Sequence, residues 1–221
     1  MISAYGNCQA KEVVNMLLTS ENFTNKYGTS TYIALNYIFE KEHQPLDVLI
    51  ESFKKTKILI YQPLSDKHYP YNTDNLLQYL PSDCKLVSFP YIFNDALWGH
   101  SVDGNWKDAV NGDFILSENV DMLARFEYNL AITLEKEQNT VVKLSSYIRD
   151  HIRDVELFYT QNHPTPYLLR EVCRQMLDYL QITNDIPTSN YETYYGTFRW
   201  PYTAQAVLDF NFKFPLNSQI I

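Results

Sequence analysis

Ile2-Ser3-Ala4-Tyr5-Gly6-Asn7-Cys8-Gln9 decides the reading of this chain: a short apolar run enters a glycine turn, and a thiol stands where a helix begins. A strand that turns directly into a helix is the opening unit of an α/β sheet. The first N–H groups of a helix have no partners within it and carry partial positive charge, so a thiolate at Cys8 is stabilised there. The thiolate is the nucleophilic form of cysteine. The plainer reading of Cys8 is a small buried apolar residue near a strand end, and position alone leaves both open.

Outward from this unit, Lys11 to Ser20 reads as a helix with Val13, Val14, Leu17 and Leu18 on one face. Thr31 to Leu35 is rich in β-branched and aromatic residues and reads as a second strand. Pro45 can start a helix whose stripe is Leu46, Leu49, Ile50 and Phe53. Ile58-Leu59-Ile60-Tyr61 is a continuous apolar run suited to a strand buried on both faces. A short helix from Thr73 to Leu80 is stopped by Pro81, and Lys85 to Phe89 follows as a strand. This alternation implies parallel strands joined by right-handed crossovers, with helices over both sheet faces.

In the second half, Ser117 is expected to cap a long helix through Val120, Leu123, Ala124, Leu130 and Leu134. Thr140 is expected to cap another that carries Val141, Leu144 and Ile148. The sheet pattern resumes at Val155 to Tyr159. A final amphipathic helix runs from Pro166 to Leu180, with Cys173 on its apolar stripe and hence in the core. Cys84, ahead of an apolar strand, reads the same way. Asn94 to Gly112 is a long loop of the kind that forms lids or binding loops. The aromatic tail from Pro187 to Ile221 lacks periodicity and reads either as a wrap over the domain or as a homodimer contact. The expected organisation is one α/β domain over 1–185 and an extension over 186–221 packed on it.

Composition narrows the function. The 221 residues are 45% hydrophobic and 20% charged, an ordinary globular balance. A net charge of −8 argues against a broad nucleic-acid or anionic-membrane footprint. No apolar run reaches membrane-spanning length. Three scattered cysteines and an opening without a signal segment point to reduced thiols and a cytoplasmic setting. Eighteen tyrosines suit sugars, adenine rings or protein contacts without choosing among them.

A second candidate site is Tyr159-Thr160-Gln161-Asn162-His163-Pro164-Thr165-Pro166, where a strand ends, a loop carries a histidine, and Thr165-Pro166 starts a helix. In a parallel sheet the loops after the strands share one edge, so Cys8 and His163 are expected at the same rim. There the imidazole could take the thiol proton, and the helix that follows favours its neutral form. The bland alternative for His163 is a loop histidine bonded to a backbone carbonyl. His43, His68, His100 and His151 make no metal-ligand spacing and read as solvated loop residues, so no metal is expected. The six glycines form no phosphate-binding motif.

Four motifs in order, Gly6-Asn7-Cys8-Gln9, Tyr61-Gln62-Pro63, Phe89-Pro90-Tyr91-Ile92-Phe93 and Asn162-His163-Pro164-Thr165, resemble the WcbI-type capsular polysaccharide biosynthesis acetyltransferases. The resemblance extends to the end of the last expected helix. It implies an SGNH-hydrolase-like three-layer α/β sandwich, with a mostly parallel sheet and extra helices in the second half. It also implies coenzyme A or acetyl-CoA as co-substrate and transfer of an acetyl group to a sugar. By analogy, Cys8 falls where the SGNH fold keeps its nucleophile and His163 where it keeps its late histidine. That fold has an aspartate three residues before the histidine; this chain has Thr160, so an orienting acid is missing or comes from elsewhere.

Two routes follow from these residues. Cys8 takes the acetyl group with His163 as base, or His163 activates the sugar hydroxyl for direct attack on the thioester. Candidate oxyanion and substrate contacts are the N–H groups of Cys8 and Gln9 and the side chains of Asn7, Gln62, Asn162 and Thr165. Asn7 and Asn162 could equally hold turns. Candidate coenzyme A contacts are Gly6, Lys11, Tyr61, Phe93 and Arg153, with Arg153 and Arg149 weaker choices than Lys11. The competing classes are an esterase acting on a glycan and a non-catalytic ligand-binding protein.

Overall fold

The computed structural model describes residues 1–42, 44–98, 121–188 and 199–216. Expectations for His43, His100, Ser117, Val120, the loop from 99 to 112, and the tail at 189–198 and 217–221 lie outside the described residues. The chain groups into two compact units. One is Met1–Tyr91, Glu137–Lys143 and Leu169–Tyr191; the other is Ile92–Lys136, Leu144–Leu168 and Glu192–Ile221.

The first unit opens with β1 (Ile2–Gly6), α1 (Cys8–Leu17), α2 (Glu21–Tyr27), β2 (Thr31–Leu35), α3 (Asn36–Lys41) and α4 (Leu46–Phe53). β3 (Ile58–Tyr61), a one-turn 3-10 helix (Asp66–His68), α5 (Thr73–Leu77) and β4 (Lys85–Ser88) follow. The strands form one parallel sheet in the order β2-β1-β3-β4. β1 is buried throughout, as a central strand between two neighbours must be. Register runs Ile2 to Thr31 and to Ile58, and Tyr5 to Ala34 and to Tyr61.

Because side chains alternate along a strand, Tyr5 and Ala4 face opposite sides of the sheet. On the Tyr5 side it packs with Ala34, Leu59, Phe39 of α3, Leu49 and Phe53 of α4, and Leu76 of α5. Phe53 meets Tyr5 edge to face, ring centroids 5.9 Å apart at 87°. α1 packs against β1, β2 and β3. Its partner is α8 (Pro166–Tyr179), whose buried Cys173 donates its S–H to the Val13 carbonyl at 3.7 Å. The protein is thus an α/β fold with a parallel sheet flanked by helices, as expected.

The second unit holds α6 (Met122–Glu137) up to Lys136, α7 (Ser145–His151), β5 (Phe158–Thr160), β6 (His163–Pro164), the first residues of α8, and α9 (Ala204–Phe210). β5 and β6 pair antiparallel as their own two-stranded sheet, with Thr160 opposite His163. This corrects the expectation that Val155 to Tyr159 resumes the parallel sheet: the strand starts three residues later, and the Asn162 turn folds the chain back on it. Thr140 does not cap a helix. Its hydroxyl donates to the carbonyls of Glu137 (3.2 Å) and Val142 (2.7 Å), and α7 begins only at Ser145. The first helix also starts earlier than its apolar stripe suggested, because Asn7 caps it. The tail acquires order through α9, capped by Thr203, and through Trp200, whose N–H donates to the Tyr159 carbonyl at 2.9 Å.

Truncating Phe53, fully buried against Tyr5, removes an aromatic from the Tyr5 face of the sheet. Phe53→Ala is expected to cost about 3–5 kcal/mol in denaturant unfolding; a loss under about 1 kcal/mol would mean this face is not the core.

Candidate active site

The strand order sets the location. From β1 the chain goes to β2 on one side, then crosses to β3 on the other, so the connections diverge at the carboxyl ends of β1 and β3. Open α/β sheets bind ligands at such a switch point. Gly6, Asn7, Cys8 and Gln9 follow β1, and Gln62 follows β3.

These residues interlock. Asn7 is the N-cap of α1, and its side-chain oxygen accepts the Gln9 N–H at 2.8 Å. Gln62 Oε1 accepts the Asn7 N–H at 3.0 Å, and Gln62 Nε2 donates to Gln9 Oε1 at 2.9 Å in the buried interior. The Gln62 backbone N–H meanwhile donates to the Tyr5 carbonyl at 3.0 Å. Accepting from a backbone N–H fixes which end of the Gln62 amide is oxygen. Gly6 makes the approach feasible: its φ of 152° suits glycine, and a Cβ there would lie 2.7 Å from Gln62 Oε1. Cys8 is the first residue of α1 and half-buried. Of the expected oxyanion donors, the Gln9 N–H and the Gln62 amide already serve this network. The Cys8 N–H sits at the helix start, where backbone donors point outward.

The other two thiols are unsuited to chemistry. Burial pushes Cys84 up to about 11 and raises Cys173 still further. Both stay protonated near neutrality.

In the second unit, His163 is half-buried, and burial pushes its imidazole down to about 4, so it is neutral at physiological pH. The cause is desolvation rather than the helix end that the sequence suggested. Thr160, at the position of the absent acid, is buried and donates its hydroxyl to Asn162 Oδ1 at 3.2 Å. Thr165 donates its hydroxyl to the Glu156 carbonyl at 2.6 Å and its N–H to the Leu157 carbonyl at 2.9 Å, so it anchors the start of α8.

The remaining expected contacts are divided. Lys11 is exposed on α1, and Tyr61 is half-buried at the end of β3, its phenol raised by burial against the opposing effect of its bond to Ser88. Phe93, Arg153, Asn162, His163 and Thr165 belong to the second unit; Gly6 to Gln9, Lys11, Tyr61 and Gln62 belong to the first. Arg149 is paired with Glu127 at 2.7 Å. Among the described residues no cluster of His, Cys, Asp and Glu could hold a metal.

One pair was not legible in the sequence. His68, read there as a loop residue, directs Nδ1 at both carboxylate oxygens of Glu40, at 3.0 and 3.1 Å. Asn36 Nδ2 reaches the same carboxylate at 3.3 Å. The partners are 28 positions apart and carry no motif, so only the sheet order brings them together.

Fold and site define an α/β protein with a helix-start cysteine at the switch point of a parallel sheet. A family model described as "Polysaccharide biosynthesis enzyme WcbI" matches residues 1–103 and 105–185, and the chain belongs to that family, one of polysaccharide biosynthesis enzymes. No curated protein sequence matches the chain. A solved structure of WcbI, 19% identical and with a TM-score of 0.68, covers 97% of this chain and 80% of its own. That structure is described as a novel polysaccharide biosynthesis enzyme in native form, without a disulfide bond between coenzyme A and one of its cysteines. No helix among the described residues is long and apolar enough to cross a membrane.

Two outcomes test this geometry. Gly6→Ala forces a strained φ and a clash with Gln62, and should lower stability by about 1–3 kcal/mol in chemical denaturation; an unchanged midpoint would contradict the close approach. The depressed His163 pKa has a definite sign. Between about 6.5 and about 4 the unfolded chain binds a proton that the folded imidazole does not, so stability falls as pH drops through that window. Melting curves of wild type and His163→Asn should converge on acidification relative to neutral pH, or cross, because only the wild type carries this loss. Parallel curves would refute it.

Proposed function

We propose that the protein transfers an acyl group, acetyl in the simplest case, from coenzyme A to a carbohydrate hydroxyl in polysaccharide biosynthesis. The observation that carries this reading is the half-buried Cys8 at the first turn of α1, held at the sheet's switch point by the Asn7–Gln9–Gln62 network. Family membership supplies the polysaccharide context. The relative's description pairs coenzyme A with a cysteine. A cysteine able to meet the coenzyme A thiol would stand where a thioester carbonyl stands during transfer, which favours the covalent route.

In the first step a base accepts the Cys8 thiol proton as the sulfur attacks the thioester carbonyl, a task that needs a neutral imidazole such as the buried His163. The Cys8 N–H is the donor for the developing oxyanion, an interaction whose loss typically costs about 10²–10³ in rate. The carbon–sulfur bond to coenzyme A then breaks, and the leaving sulfur takes the proton back from that base. In the second step an acceptor hydroxyl loses its proton to a base and attacks the acetyl-Cys8 carbonyl, releasing the Cys8 sulfur. Within the unit that holds Cys8, Lys11 is proposed for the coenzyme's phosphates and Tyr61 for its apolar parts.

Thr160 in place of an acid, with its hydroxyl engaged by Asn162, weighs against a hydrolase. An esterase would cleave a small aryl acetate with no acceptor present. Calorimetry decides the ligand: wild type should bind coenzyme A saturably, and Cys8→Ala should bind it yet yield no acetylated protein with acetyl-CoA. Absence of heat with either ligand would remove the proposal.

A further inference from the structure

We propose that the open edge of β2 pairs with the same edge of a second copy of this chain, antiparallel and centred on Ile33, so that two four-stranded sheets join into one. The inference stands apart from the acyl-transfer reading, and it places a dimer contact on the sheet rather than on the tail.

The strand order leaves β2 and β4 at the two edges of the sheet. β4 is guarded: it opens on the exposed Lys85, and its last carbonyl, that of Ser88, accepts the N–H groups of Val141 and Val142 at 3.1 and 3.2 Å. β2 has neither device. The Ile2 N–H donates to the Ser30 carbonyl at 2.9 Å. Backbone groups alternate in direction along a strand, so those of Ser30, Tyr32 and Ala34 turn to β1 and those of Thr31, Ile33 and Leu35 turn outward. The Leu35 carbonyl is spent on α3, for which Leu35 is the N-cap. Among the described residues, no hydrogen bond reaches the N–H and C=O of Thr31 and Ile33 or the N–H of Leu35. Ala34 alone of the strand is buried. An edge of this kind is a template for another strand.

Pairing, charge and closure all favour a second copy as that strand. A twofold axis through Ile33 sets Ile33 against its own copy and Thr31 against Leu35, so outward-facing residues meet outward-facing residues and exchange their bonds. Tyr32 then lies opposite the small Ala34. With a net charge of −8, two copies repel each other over most of their surface, yet no residue from Tyr27 to Phe39 is charged. A strongly acidic or basic partner strand would find no opposite charge along that stretch. Pairing consumes the open edge of both copies and β4 is guarded, so assembly stops at two. The joined strands run in opposite directions, so the two carboxyl edges, each with its own Cys8, turn opposite ways. A five-residue strand buries little area, which makes the dimer weak and dependent on concentration.

Sedimentation velocity on the full chain, from about 1 to about 200 µM, tests this. The mean mass should climb from one chain towards two and go no higher. Thr31→Lys puts a charge on the exposed first position of β2. Ile33→Pro removes only the outward N–H and leaves the bonds to β1 in place. Each should weaken association at least about tenfold. Thr31→Lys should keep the wild-type circular dichroism and melting temperature, so that loss of fold does not account for the change. Ile33→Cys reads the register: hydrogen-bonded antiparallel partners have Cα atoms about 5.5 Å apart, within disulfide reach, so mild oxidation should link two chains through the introduced thiols. A single chain at every concentration overturns the inference and leaves the edge to a strand of another protein. A dimer that Thr31→Lys leaves intact, or whose introduced thiols do not bridge, overturns it as well.

Discussion

The side chain of Gln62 is the constraint on which the candidate site depends. It leaves the end of β3, accepts from the backbone of Asn7 and donates to Gln9, while its own backbone is bonded to Tyr5. One residue thus joins the ends of two neighbouring strands to the first turn of α1. A buried amide whose donor and acceptor are both used fixes its neighbours; the same amide left unsatisfied would cost on the order of 1–3 kcal/mol. The network needs a backbone that comes within side-chain reach, and that is why Gly6 precedes Asn7. The position of Cys8 is a consequence of this packing rather than of helix propensity.

The first half of the fold was largely legible because its signals are local. Thr31–Leu35 and Ile58–Tyr61 form strands with the bounds their apolar and β-branched runs predict, and Pro45 stands at the start of α4. The motif Gly6-Asn7-Cys8-Gln9 marked the site edge, and Gln62 was singled out as a partner. What stayed hidden depends on contacts between distant segments. Periodicity cannot tell whether a three-residue apolar strand joins an existing sheet or folds back on itself, and β5 does the latter. Thr140 looked like a cap by residue type, yet its hydroxyl found backbone carbonyls instead. Glu40 and His68 were invisible as a pair because neither lies in a run that alone demands a function.

Environment, not count, distinguishes the cysteines. Cys173 lies at full burial between α8 and α1 with its S–H on a carbonyl, which suits a small apolar residue. Cys84 packs at the margin of the Tyr5-side cluster, where loss of water raises its thiol. Only Cys8 combines partial exposure with the first position of a helix.

What an imidazole can do with a proton depends on its surroundings. Burial keeps His163 neutral, so it is ready to receive a proton but holds it weakly. That behaviour suits the exchange of one sulfur for another, where the proton need only be parked. A hydroxyl is a far weaker acid than a thiol, and removing its proton asks for an imidazolium that is stabilised once formed. A carboxylate on the opposite ring nitrogen is the usual source of that stabilisation, and the β5–β6 turn carries Thr160 where such an acid would stand.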